Sequence, residues 1–174
     1  MKRAPQSFDS DVILGIDPGT RVSGYGVIAI HEQKIILLDY GCIRPPSGYK
    51  LSERYLVIFD SVAELIEKYG PSALVVETQF VHKNVQSAIK LGMARGSVMV
   101  AAKKRGISVF EYPPTVAKRA VVGHGRASKY QVQGMVQRLL QLSSPPHPED
   151  AADALALAIC HAHTAQHLRA SKEV

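Results

Sequence analysis

Apolar positions change their period along the chain, and each change predicts an element. Residues 12 to 17 (VILGID) form a short apolar run closed by Pro18-Gly19, the pattern of a buried strand ending in a turn. Two further apolar stretches, Val22 to Ile30 and Lys34 to Ile43, flank a polar His-Glu-Gln and predict, with the first, an antiparallel meander of three strands. From Leu51 the spacing lengthens. Leu51, Tyr55, Ile58, Val62, Leu65 and Tyr69 lie three and four apart, the stripe of an amphipathic helix that Gly70-Pro71 ends. Ala73 to Val76 is short, apolar and rich in valine, a fourth and fully buried strand. Asn84 to about Arg105 has helical composition, and its small residues Ala88, Gly92 and Gly96 allow one face to approach a neighbour closely. Ile107 to Tyr112 reads as a fifth strand stopped by Pro113-Pro114, followed by a short helix near Val116. The glycine-rich, basic stretch VVGHGRAS is expected to be a mobile loop. Helical spacing returns over Ser128 to Leu142, then a Ser-Pro linker at 143 to 148 leads into an alanine-rich helix from Glu149 to about His163. In that last helix Ala151, Leu155, Ile159 and Ala162 would line a core face. The order βββαβαβαα predicts an α/β protein of three layers, with a five-stranded mixed sheet flanked by helices.

Composition narrows the class without naming a function. With 174 residues, 46% of them hydrophobic, the chain suits one core and excludes a disordered tail or a small disulfide scaffold. The expected division is an N-terminal extension over 1–11, a main domain over 12–165 and a C-terminal tail over 166–174. The net charge of +6 is unevenly placed. Residues 78 to 148 hold eleven basic side chains and one acid, Glu111, a local +10, while the flanks together are −4. So one-sided a middle implies a polyanionic partner, the alternative being a solvated basic face. No apolar run approaches the ~18 residues of a spanning helix, and MKRAPQSFDSD lacks the apolar core of a signal peptide. No membrane partner and a cytoplasmic location are therefore expected. Cys42 and Cys160 lack any paired spacing and read as buried free thiols.

Four acids sit where acids are costly. Asp17 closes one apolar strand, Glu77 closes another, and Asp150 and Asp153, three apart, share one face of the last helix. Each has an ordinary alternative: Asp17 before Pro-Gly can be a turn residue, and Asp150 or Glu149 can complement the positive end of a helix. Taken as a set, carboxylates from three elements beside a basic surface point to hard divalent cations, Mg²⁺ or Mn²⁺ rather than zinc. Such a site next to a polyanion-binding surface implies phosphodiester hydrolysis by a nuclease. Composition and spacing do not say which nucleic acid.

Five blocks then carry a resemblance: GIDPGTRVSGYGV (15–27), VVETQF with HKN (75–84), KLGMARG (90–96), VVGHGRASKYQVQ (121–133) and DAADALALAICH (150–161). In this order, from about Val12 to His163, they resemble the RuvC-type crossover junction endodeoxyribonucleases, the bacterial Holliday junction resolvases. The resemblance implies a ribonuclease-H-like fold. It also implies a homodimer, acting with the RuvA and RuvB branch-migration proteins, that makes paired symmetric cuts in opposed strands of four-way junction DNA and leaves 5′-phosphate and 3′-hydroxyl ends. By position, Asp17, Glu77, Asp150 and Asp153 look like the catalytic quartet holding two Mg²⁺ per subunit, with Mn²⁺ as a substitute. Lys118 and Lys129 match lysines near the cleaved strand, Arg126 lies in the same block as a DNA contact, and Phe80 matches an aromatic that stacks on opened bases. For Phe80 a core position is the alternative. His124 and Tyr130 depart from the pattern, where other members often carry Asn and a polar or acidic residue. The helix from Asn84 is expected to supply part of the dimer interface.

Two other readings have specific sequence tests. GIDPGT also resembles the phosphate turn of actin-like and sugar-kinase ATPases, but those need a second similar domain, and GxxxxGK[ST] is absent. A junction-binding module without catalysis would keep its function when Asp17 is replaced. Cys160-His161-Ala162-His163 suggests zinc, yet no second cluster completes it.

Overall fold

The structure is a computed structural model that describes residues 11–78 and 84–170, with the side chains of 167–170 excepted. The three-strand meander is β1 (Asp11–Asp17), β2 (Ser23–His31) and β3 (Lys34–Ile43), followed by α1 (Leu51–Tyr69) and β4 (Ala73–Glu77). Then come α2 (Val85–Lys104), β5 (Ser108–Tyr112), α3 (Pro114–Val122), α4 (Lys129–Leu139) and α5 (Glu149–Ala170). The sheet order is β3-β2-β1-β4-β5; β1–β2 and β2–β3 are antiparallel, and β1–β4 and β4–β5 are parallel. This is the expected five-stranded mixed sheet, and α3, α4 and α5 are the three helices read after the fifth strand, one more than the string βββαβαβαα counts.

Alternation along the strands divides two cores. Leu14, Ile16, Val27, Leu74 and Val76 face α1 and α2, where they meet Ile58, Val62, Ala94 and Val98. Ile13, Ile28 and Val75 face the other way, against Leu155, Ala158 and Ile159 of α5. Helix α5 is itself covered by Ala117 and Val121 of α3 and Val132 and Val136 of α4, so it is apolar all round where a surface helix would show one stripe. That cover shortens the loop expected at VVGHGRAS to residues 123–128, which join α3 to α4. Val121 and Val122 belong to α3, Ala127 is buried, and Ser128 caps α4 by accepting from the Gln131 N–H at 3.2 Å while Gln131 Oε1 accepts from the Ser128 N–H at 2.8 Å.

At its other end α5 runs through Ala170, beyond the boundary drawn at 165, and Gln166 Nε2 donates to the Gln33 carbonyl at 2.8 Å. Both cysteines are free, Cys160 buried and Cys42 half-buried. No helix among the described residues is long and apolar enough to cross a membrane.

Candidate active site

Strand parity aims the first two carboxylates. Ile16 pairs with Val76 across the parallel β1–β4 ladder, so Asp17 and Glu77 stand side by side at the carboxyl ends of neighbouring strands. Counting by two from Ile13 and from Val75, both side chains fall on the α5 face. The loop after Asp17 is pinned by Ser23, whose Oγ accepts from the Gly19 N–H at 3.0 Å and donates to the Gly19 carbonyl at 2.9 Å. Asp17 therefore leaves the sheet from a fixed turn.

The other two arrive because α5 lies unusually close to the sheet. A Cβ on Gly15 would stand 2.1 Å from the Ala154 carbonyl oxygen, and one on Gly24 would stand 1.9 Å from that of Asp150. Only glycine permits this approach. Gly24 pairs with Asp17 across β1–β2, so the helix touches down beside the first carboxylate. Asp17, Glu77 and Asp153 line one small pocket of about 30 Å³ together with Lys118, room for an ion or a water. Asp150 is not among the residues lining that pocket; it acts on Asp17 through its charge.

Electrostatics show the cost of this gathering. Burial, then the charges of Glu77, Asp153 and Asp150, push the Asp17 carboxyl up to about 8, with Lys129 opposing. Burial and Asp153 raise Glu77, against Lys118 and Lys129; burial raises Asp153, against the same two lysines. The Lys129 ammonium lies 3.4 Å from Glu149 and 3.6 Å from Asp153, and the Asp153 charge raises its pKa. Among the described residues no three His, Cys, Asp or Glu side chains form a ready-made metal cage. The donor set nevertheless fits hard divalent cations: all-oxygen, crowded with like charge, and answered in this structure by a lysine.

Of the other expected residues, Lys118 is half-buried in the carboxylate pocket, Arg126 is exposed between α3 and α4, and Phe80 lies outside the described residues. Glu149 as a partner of Lys129 was not foreseen; the sequence marked it only as an acid opening a helix. His161, from the Cys-His-Ala-His stretch, is engaged by its neighbours. It packs on Phe110 at 4.2 Å between ring centroids, and its Nδ1 shares a 2.9 Å hydrogen bond with Tyr112 Oη.

The family model for "Crossover junction endodeoxyribonuclease RuvC" matches residues 13–161. The chain belongs to the RuvC family. The family's enzymes are nucleases of the hydrolase class, and so is this chain. It is 71% identical over 151 residues to the RuvC endodeoxyribonuclease of Protochlamydia amoebophila, covering 87% of this chain and 90% of that one. With the Legionella pneumophila (strain Philadelphia 1) enzyme it is 50% identical over 152 residues, 87% of each chain. Among solved structures, Thermus thermophilus RuvC superposes with a TM-score of 0.82 at 38% identity, covering 90% of this chain and 96% of that chain. The same RuvC in complex with a Holliday junction substrate gives 0.82 at 36%, with the same coverage. A yeast mitochondrial Holliday junction resolvase, at 15% identity and a TM-score of 0.64, shares the fold. The ribonuclease-H-like architecture implied by the sequence blocks is thus the one observed.

Proposed function

We propose that this RuvC-family chain resolves Holliday junctions in recombination and repair, making paired, symmetric cuts in opposed strands and leaving 5′-phosphate and 3′-hydroxyl ends. The observation that carries this reading is the convergence of Asp17, Glu77 and Asp153 with Lys118 on one pocket, on a sheet that superposes on a RuvC bound to a junction. Asp17, Glu77, Asp150 and Asp153 are the residues that would hold divalent cations, Mg²⁺ by donor hardness, two per subunit, with Mn²⁺ as a substitute. When bound, such a pair activates the attacking water and neutralises the leaving 3′-oxygen.

The chain's own groups do the rest. Lys118 and Lys129 bring positive charge to the carboxylates' edge, where a phosphate would otherwise be repelled. As phosphate enters, Lys129 can exchange Glu149 and Asp153 for it, since both contacts are long and the lysine itself is exposed. Arg126 adds a backbone contact, and Phe80 would stack on an unpaired base at the opened crossover. Two equivalent cuts need two sites related by a two-fold axis, hence a homodimer. Its support is an exposed apolar stripe on α2, Val85, Ile89, Met93 and Val100, with open space over Gly92 and Gly96. RuvA and RuvB as partners, and a cytoplasmic location, follow from the family.

The test is cleavage of a mobile four-way junction in Mg²⁺. The parent is expected to cut opposed strands in pairs. Asp17→Asn, Glu77→Gln and Asp153→Asn should bind the junction and lose cleavage by at least a hundredfold. Variants that cut like the parent, or a parent that cuts linear duplex as readily, would overturn the assignment.

A further inference from the structure

The exposed aromatic with least to do inside the protein is Tyr130, 83% exposed in the first turn of α4 and the residue after Lys129. An apolar ring held in water beside an active-site lysine calls for a flat partner. It forms one wall of an open groove of about 510 Å³ between α4 and the 143–148 segment, with Arg138 and His147 farther along. The groove is built rather than incidental. Gln133 Nε2 donates to the Pro146 carbonyl at 3.1 Å and Gln137 Nε2 to the Leu142 carbonyl at 3.3 Å, fixing the segment against the helix.

The groove and the carboxylate pocket share no lining residue, but the chain links them at both walls. On the α4 side Tyr130 adjoins Lys129, which reaches Asp153; on the other, His147 lies three residues before Asp150. Charge is complementary to a nucleic-acid strand, since residues 118 to 148 hold Lys118, Arg119, Arg126, Lys129 and Arg138 and no acid. Arg138 makes no ion pair among the described residues. It sits eight residues beyond Tyr130, about 12 Å along the helix, a distance of roughly three nucleotides.

We infer that this groove takes the DNA strand leading away from the cut. Tyr130 stacks on the base of a nucleotide flanking the scissile phosphate, and Arg138 meets a phosphate a few nucleotides along. The inference rests on the junction-cleavage reading and adds to it a base-holding site on α4, distinct from the carboxylates. Stacking on a bare ring is tolerant of sequence, so the site would hold a splayed strand rather than choose one.

Metal-free binding separates this inference from the reading beneath it. In EDTA, with a fluorescent four-way junction followed by anisotropy, Tyr130→Ser should weaken binding roughly tenfold and Tyr130→Phe should match the parent. Arg138→Gln should reduce the slope of log K against log salt by about 1. With Mg²⁺ added, Tyr130→Ser should raise KM more than it lowers kcat. Bromodeoxyuridine placed stepwise around the cut should photo-crosslink to the Tyr130 peptide at one or two positions, a readout that needs no variant. Binding by Tyr130→Ser within twofold of the parent, an equal loss in Tyr130→Phe, or crosslinks that avoid Tyr130 would each overturn the groove. A parent that binds junctions but cuts none would instead overturn the nuclease reading.

Discussion

Asp17 concentrates the tension in this molecule. Its carboxyl is buried beside three like charges and is raised to about 8, so the folded protein holds a proton there that the unfolded chain releases near 4. Folded protein binding the extra proton means that stability falls as pH rises between those values. Asp17→Asn removes the penalty. Metal-free Asp17→Asn should therefore melt above the parent, with the gap widening by several degrees from pH 6 to pH 9. Millimolar Mg²⁺ should stabilise the parent alone and narrow it. Melting curves at the two pH values, with and without Mg²⁺, check this, and a gap indifferent to pH would show that the carboxyl is not strained by its neighbours. The four acids stood out in the sequence by position, Asp17 and Glu77 closing apolar strands and Asp150 and Asp153 three apart on one helix face. What the sequence did not carry was their spacing in depth: Asp153 enters the pocket with Asp17 and Glu77, Asp150 does not line it, and Glu149 holds Lys129.

At the scale of elements, periodicity placed all five strands and the long helices, because burial on one face writes itself into the spacing of apolar residues. It missed how the elements touch. Gly15 and Gly24 look like ordinary strand glycines until α5 lies on them, and nothing local says which helix will. The loop expected at VVGHGRAS is shorter than drawn for a related reason: glycine and charge read as exposure throughout, while Val121 and Ala127 at its two ends are buried by α5 and its neighbours. The close contact itself is testable. A Cβ at Gly24 would sit 1.9 Å from a backbone oxygen that a rigid helix cannot withdraw, so Gly24→Ala must push the start of α5, and Asp150 with it, off the sheet. Overpacking of this kind costs about 1–3 kcal/mol. Cleavage should fall at least tenfold while junction binding in EDTA persists. In contrast, Gly134→Ala on α4, where a Cβ meets nothing within 4 Å, should gain about 0.5–1 kcal/mol. Thermal melts of the two variants, with cleavage of Gly24→Ala, give the comparison.

For the whole molecule, the proposed DNA contacts and the apolar stripe lie on opposite faces of the sheet. Lys118, Arg126, Lys129 and Arg138 belong to α3, α4 and the loop between them, which pack with α5, whereas the exposed apolar stripe runs along α2, on the other face, beside that helix's own Lys90, Lys103 and Lys104. That stripe is where a second copy would dock, leaving both carboxylate sites open on the far side. Ile89 is 58% exposed in its middle, so replacing it costs the monomer little, while a carboxylate there would be duplicated across a two-fold axis and buried unpaired. Ile89→Asp should sediment as a monomer at micromolar concentration where the parent is a dimer, with unchanged circular dichroism. The consequence for chemistry is specific. On a supercoiled plasmid bearing an extruded cruciform, a dimer that cuts both opposed strands before leaving yields linear DNA. A monomer cuts once, the torsional stress that holds the cruciform is lost, and nicked circles accumulate. Ile89→Asp should thus shift the product from linear to nicked without abolishing strand scission. A variant that still sediments as a dimer, or that still yields linear DNA, would place the two-fold axis elsewhere on the molecule.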